Sequence, residues 1–177
     1  PIDGAALREP SVEAPALTLA GEHAAQFSFE SFCVDDTNRR AFTVAQMIAV
    51  GAGAGLPLVL IHGPPGVGKS HLLNAIGGEA ARATPGRRVR LLMAQLFIEE
   101  VQYALNKKRD PASFKGMVRD CDVLLIDDAH RIAGKRATEE EFFDTIAILN
   151  AAGKQVVLTA DHGPDGLSGF DERLRNQ

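Results

Sequence analysis

Apolar positions along this chain change rhythm in a regular way. Short unbroken apolar runs alternate with longer stretches in which apolar residues recur every three or four positions. The runs are Leu58-Val59-Leu60-Ile61, the segment 88–93 with Val89, Leu91, Leu92 and Met93, then Val123-Leu124-Leu125-Ile126 and Val156-Val157-Leu158. Each is rich in leucine or β-branched residues and closed by polar or glycine-containing turns, the pattern of a strand buried on both faces. Between them lie helical spacings: Leu72, Leu73, Ile76 and Ala80 within 71–83, then Leu96, Phe97, Val101 and Leu105 within 94–106. A short helix is predicted around 113–119 and another over 138–151. An earlier helix is predicted over 38–50, entered through Asp36-Thr37-Asn38 as an N-cap region and stopped by Gly51-Ala52-Gly53-Ala54-Gly55. Strand and helix in alternation predict an α/β domain, a parallel sheet with helices on both faces.

The chain has 177 residues, room for one domain with a substantial core. Residues 1–25 are rich in Ala, Pro, Glu and Gly without periodicity and read as a linker or tail, with the domain over 26–177. The chain begins at Pro1, as expected of a piece of something longer. A net charge of −4 argues against a protein that coats DNA non-specifically, and the absence of tryptophan argues against a base-stacking platform. Cys33 and Cys121 lack C-x-x-C spacing and are expected to be buried small apolar residues in a reducing cytoplasm. No apolar run has the length of a membrane span.

The connection after the first run carries the strongest chemical signal. Gly63-Pro64-Pro65-Gly66-Val67-Gly68-Lys69-Ser70 satisfies G-x-x-x-x-G-K-[ST], between a predicted strand and a predicted helix. Such a turn converges backbone N–H groups on phosphate oxygens, and the helix N-terminus adds positive potential there. Lys69 is expected to reach the β and γ phosphates and Ser70 to ligate Mg²⁺. These eight residues and the following His71 form the candidate phosphate site, for ATP or ADP.

The third run ends in Asp127-Asp128, a Walker B pattern. Asp127 is the candidate metal residue, and Asp128 is placed to orient or deprotonate an attacking water. Many strands end in an acidic turn, but downstream of a phosphate loop both motifs fall at the carboxyl edge of one sheet, where ligands bind. The fourth run closes with Thr159-Ala160-Asp161. Asp161 is the candidate γ-phosphate sensor, with Thr159 as a second choice. The bland alternative is an aspartate that merely starts a turn.

From Phe27 onward the chain resembles the AAA+ nucleotide-binding domain of the bacterial replication initiator family DnaA. The resemblance rests on Phe29-Glu30-Ser31-Phe32 with Asn38-Arg39, on Gly68-Lys69-Ser70-His71-Leu72-Leu73-Asn74-Ala75-Ile76-Gly77, and on Leu124-Leu125-Ile126-Asp127-Asp128. It continues through Glu140-Glu141-Phe142-Phe143, Gly153-Lys154-Gln155-Val156-Val157-Leu158-Thr159-Ala160-Asp161 and Asp171-Glu172-Arg173-Leu174-Arg175. It implies an adenine site near Phe32, Val34 and Asn38 and self-assembly with other initiator subunits at origin DNA. It also implies a sheet order of 1-4-3-2 here, with the family's fifth strand, helical lid and helix-turn-helix domain expected after Gln177. Two departures stand out. Asp35 replaces a frequent glycine, and Gln177 stands where the family typically carries an arginine finger, which predicts slow ATP hydrolysis.

By the same resemblance, Lys107, Lys108, Arg109, Lys135 and Arg136 occupy regions that line a channel for single-stranded DNA. The plain alternative is a solvated basic turn, and the same holds with more weight for Arg87, Arg88 and Arg90. Two other functions fit the phosphate loop: a regulatory paralogue that binds nucleotide and inactivates or caps the initiator, and a helicase-loader or transposition ATPase of the DnaC/IstB type.

Overall fold

The computed structural model describes residues 26–53, 55–106 and 111–163. Its elements follow the predicted order: α1 (Arg39–Ala49), β1 (Leu58–His62), α2 (Lys69–Ala83), β2 (Val89–Met93), α3 (Ala94–Leu105), α4 (Pro111–Arg119), β3 (Val123–Asp127), a 3₁₀ turn (Ala129–Ile132), α5 (Arg136–Ala151) and β4 (Gln155–Ala160). The four strands are parallel and lie side by side as β1-β4-β3-β2. This is the expected order. It places β3 and β4 at the centre, and both are buried almost throughout.

The alternation of side chains along these strands builds two cores. Val123, Leu125 and Val157 face α1 and α2, meeting Ala45, Ile48, Leu72, Leu73 and Ile76. Leu124, Ile126, Val156 and Leu158 face the other way, onto Phe97, Val118, Phe142 and Ile146 of α3, α4 and α5. A one-residue slip in β3 would exchange the two sets without loss of hydrophobicity, so register is set by the strand ends and turns.

Glycine ends two of the helices. Beyond α1, Gly51 adopts φ 80° and donates to Ile48 O while Ala52 donates to Met47 O. Beyond α5, Gly153 (φ 67°) donates to Asn150 O and Lys154 to Leu149 O. Both are Schellman closures. The start of α1 departs from the predicted capping. Asn38 makes no cap hydrogen bond. Asp35 Oδ1 instead accepts from the backbone N–H groups of Thr37 and Asn38 and from the Thr37 hydroxyl at 2.6 Å. Asn38 is used to close the turn, accepting from Asp35 N at 2.9 Å and donating to Cys33 O at 3.0 Å.

Cys121 is buried as expected, and burial pushes its thiol up to about 11, which makes it inert. Cys33 corrects the expectation: it is exposed. In its turn Phe29 and Phe32 take the inward positions against the core, leaving the thiol to solvent. Among the described residues no helix is long and apolar enough to cross a membrane.

Candidate nucleotide site

The carboxyl ends of β1, β3 and β4 converge on one edge of the sheet, and the predicted chemical residues converge with them. The loop from Gly63 to Gly68 leaves β1 and delivers Lys69 as the first residue of α2. Gly68 shows why a glycine is needed there. It adopts φ 96°, and a Cβ would stand 2.7 Å from Cε2 of Phe32. Any side chain would both strain the backbone and displace that ring. Pro64, Pro65, Gly66 and Val67 are exposed, as is Ser70 on the first turn of α2.

Lys69 is buried, 8 % exposed, and its ammonium is fully engaged. It donates to Gly63 O at 2.8 Å, Pro64 O at 3.1 Å and Asp161 Oδ1 at 2.8 Å. The carboxylate of Asp161 is held below its usual range, chiefly by the Lys69 hydrogen bond, with Lys69, His130 and His162 adding favourable charge. His130 approaches its other oxygen, Nε2 to Oδ2 3.6 Å. Asp128, His130 and Asp161 each offer a ligand atom within 4.8 Å of the others. No sequence signal singled out His130, which the 3₁₀ turn brings to the edge.

Thr159, fully buried in β4, organises the end of β3. Its hydroxyl donates to Asp127 Oδ1 at 2.5 Å and accepts from the backbone N–H of Asp128 at 2.9 Å. Asp128 has φ 58° and ψ 41°, the one non-glycine residue with positive φ among the described residues. Aspartate tolerates this region better than most residues. The strand ends at Asp127, whose carboxylate accepts from Thr159, whereas that of Asp128 lies near His130 and Asp161. Asp127 and Ser70 offer only oxygen donors, a set that fits a hard cation such as Mg²⁺.

Beside the loop lies a cavity of about 400 Å³ lined by Phe32, Asp35, Thr37, Asn38, Ala41 and Val67, among others. Phe32 stacks on Phe42, centroids 5.8 Å apart. Asn38 lines the cavity with its amide already committed to the turn, and Val34 is half-buried in the same turn. His71 turns away from this cavity: its Nε2 lies 2.8 Å from Ser28 O. Lys135 and Arg136 are exposed at the start of α5. Lys107, Lys108, Arg109 and Gln177 lie outside the described residues, as does the predicted tail over 1–25.

A parallel sheet whose first strand feeds a glycine loop and a lysine-headed helix, with acidic ends on β3 and β4, defines an AAA+ P-loop nucleoside triphosphatase fold. The chain belongs to the bacterial DnaA ATPase domain family, whose model matches residues 24–177. The chromosomal replication initiator protein DnaA of Caulobacter vibrioides is 41 % identical over 169 residues, 94 % of this chain and 34 % of that protein. The chain thus spans about a third of the length of such relatives. Domain III of the Thermotoga maritima replication initiation protein DnaA superimposes with a TM-score of 0.79 at 30 % identity, covering 85 % of this chain and 62 % of that one. A replication initiator DnaA bound to AMPPCP and single-stranded DNA gives 0.73 at 31 % identity, covering 85 % and 46 %. A DnaC helicase loader, at 15 % identity and a TM-score of 0.72, shares the fold alone.

Proposed function

We propose that this chain is the ATP- and ADP-binding domain of a DnaA-like replication initiator, in which the bound nucleotide controls assembly with other initiator subunits at origin DNA. One observation carries the reading. Lys69, buried at the head of α2, has its ammonium held by two loop carbonyls and by Asp161, beside a cavity large enough for a base. A buried ammonium with a replaceable counter-ion suits an incoming anion. Phosphate oxygens take the place of Asp161 and the loop carbonyls around Lys69, while the loop N–H groups supply further donors.

The residues then divide the work. Gly63, Pro64, Pro65, Gly66, Val67 and Gly68 form the phosphate cradle, and Phe32, Val34 and Asn38 border the base. Ser70 and Asp127 hold Mg²⁺, which when bound neutralises charge on the phosphate oxygens. Asp128 orients the attacking water and takes its proton. Asp161, once separated from Lys69, reports the occupancy of the γ-phosphate position to the loop after β4. With Gln177 at the finger position, hydrolysis is slow and the domain behaves as a nucleotide-occupied switch. Single-stranded DNA is contacted through Lys107, Lys108, Arg109, Lys135 and Arg136, a reading supported by the DNA-bound relative.

Titration with a fluorescent ATP analogue tests the proposal. Lys69→Ala should weaken binding at least tenfold, about 1.4 kcal/mol or more. Equal affinity of the two proteins would refute it.

A further inference from the structure

His71 follows the phosphate-loop serine, yet its ring does not face the phosphate loop's cavity. It faces the segment that precedes α1. Its Nε2 lies 2.8 Å from Ser28 O and 3.3 Å from Ser31 Oγ. A carbonyl only accepts, so Nε2 carries the hydrogen and donates it. The imidazole also stands edge-on to two rings of the same segment, Phe27 at 5.3 Å and Phe32 at 5.1 Å between centroids. The turn it grips is already closed on itself. Ser31 Oγ donates within it while accepting from Ser28 N at 3.1 Å, and Ser31 N donates to Ser28 Oγ at 3.3 Å.

We infer that His71 is a positioning residue for the base: it latches the 27–38 segment, one wall of the base cavity, onto the helix that carries Lys69 and Ser70. This rests on the nucleotide reading above and concerns the same site. The geometry makes the coupling direct. Phe32 touches His71 on one side, Phe42 on another and Gly68 of the phosphate loop on a third, and it also lines the cavity. A shift of the turn at Ser28 therefore moves a cavity wall relative to the phosphate loop. Phosphate contacts themselves come from Lys69, Ser70 and the loop N–H groups, whereas the polar partners of His71 are Ser28 and Ser31. Loss of the latch should thus cost base recognition and spare phosphate recognition. A phosphate-ligand role for His71, or a purely structural one, would move both together.

The test is competition against a fluorescent ATP analogue, using ATP and, separately, inorganic tripolyphosphate. His71→Ala is expected to weaken ATP about tenfold, ~1.4 kcal/mol, and tripolyphosphate by less than about twofold. His71→Gln, whose amide N–H lies at about the distance of Nε2, should recover most of the ATP affinity. His71→Asn, whose shorter amide mimics Nδ1, should not. Phe27→Ala changes a partly exposed ring and keeps the test open if His71→Ala fails to fold; it should shift the two affinities in the same unequal way. Equal weakening of ATP and tripolyphosphate, or unchanged ATP affinity in His71→Ala, would overturn the latch while leaving the nucleotide reading intact. A parent protein that binds tripolyphosphate but not ATP would overturn both.

Discussion

Lys69 and Asp161 stand 92 positions apart in sequence and 2.8 Å apart in space, one heading α2 and the other directly following β4. The pair joins the glycine loop to the β4 edge of the sheet. Its ammonium is nearly buried and its carboxylate partly exposed, so the pair is held by geometry rather than by a uniformly dry environment.

Asp161→Asn should separate the two roles of that pair. Losing the counter-charge leaves the buried Lys69 ammonium with neutral oxygen acceptors alone, so the melting temperature of the protein without nucleotide falls. The negative charge that competes with phosphate for Lys69 is also gone, so stabilisation by added ADP increases. Thermal unfolding with and without ADP reads both changes. An unaltered ADP-induced shift would mean that Asp161 does not compete for Lys69.

Thr159 is a buried hydroxyl with two partners, Asp127 Oδ1 and Asp128 N. Thr159→Val keeps the shape and removes the hydroxyl, leaving the Asp128 N–H without an acceptor. We expect a loss of about 1–3 kcal/mol in urea unfolding, together with slower hydrolysis. Thr159→Ser should restore both. A valine variant as stable as the parent would show that a water replaces the hydroxyl at no cost.

Asp127 is tied to Thr159 while Asp128 stands beside His130 and Asp161, and their substitutions should differ accordingly. Asp127→Asn is expected to impair Mg²⁺-dependent nucleotide binding. Asp128→Asn should preserve binding and slow single-turnover hydrolysis. If both variants bind Mg²⁺-ATP and hydrolyse it at the parent rate, the division of labour at this strand end is wrong.

At the opposite edge of the sheet, Asp122 ties together the starts of three strands. It accepts from Lys154 Nζ at 2.6 Å and from the backbone N–H of Arg88 at 2.9 Å. These contacts, Lys154 first, lower its carboxyl from 3.8 to about 2. The folded value lies below the ordinary one, so the stabilisation is complete above pH ~4–5 and disappears as pH falls toward 2. At this partly exposed position it amounts to about 1 kcal/mol after screening. Asp122→Asn should flatten the acid limb of the stability profile across that window. A variant with the parent's acid limb would place the sensitivity elsewhere.

Much of this could be read along the chain, because the forces involved are local. The strands were visible as short apolar runs, since a strand buried on both faces tolerates few polar residues. One helix end was visible where Gly51 opens a glycine-rich turn, whereas the left-handed turn at Gly153 emerged only in the fold. The phosphate loop was legible because its function requires a fixed spacing of glycines, lysine and serine within a few residues. Asp127 and Asp128 could be placed at a strand end for the same reason. The order of strands came from the resemblance to a family, since apolar runs of similar composition do not declare their neighbours.

What tertiary structure alone decided lies between segments. Only the adjacency of β3 and β4 brings Thr159 under Asp127 and Asp128. Only the convergence of loop and β4 gives Lys69 its counter-ion, and a four-residue 3₁₀ turn with no motif of its own swings His130 to Asp161. Asn38 had the composition of a cap and Cys33 that of a core residue. Yet Asp35 took the capping bonds, and Phe29 and Phe32 took the inward positions. His71 had the sequence position of a phosphate-loop residue, and its ring found Ser28. Backbone rhythm is dictated by neighbours in sequence, whereas the partner of a polar side chain is whichever group the packed layers bring within about 3 Å.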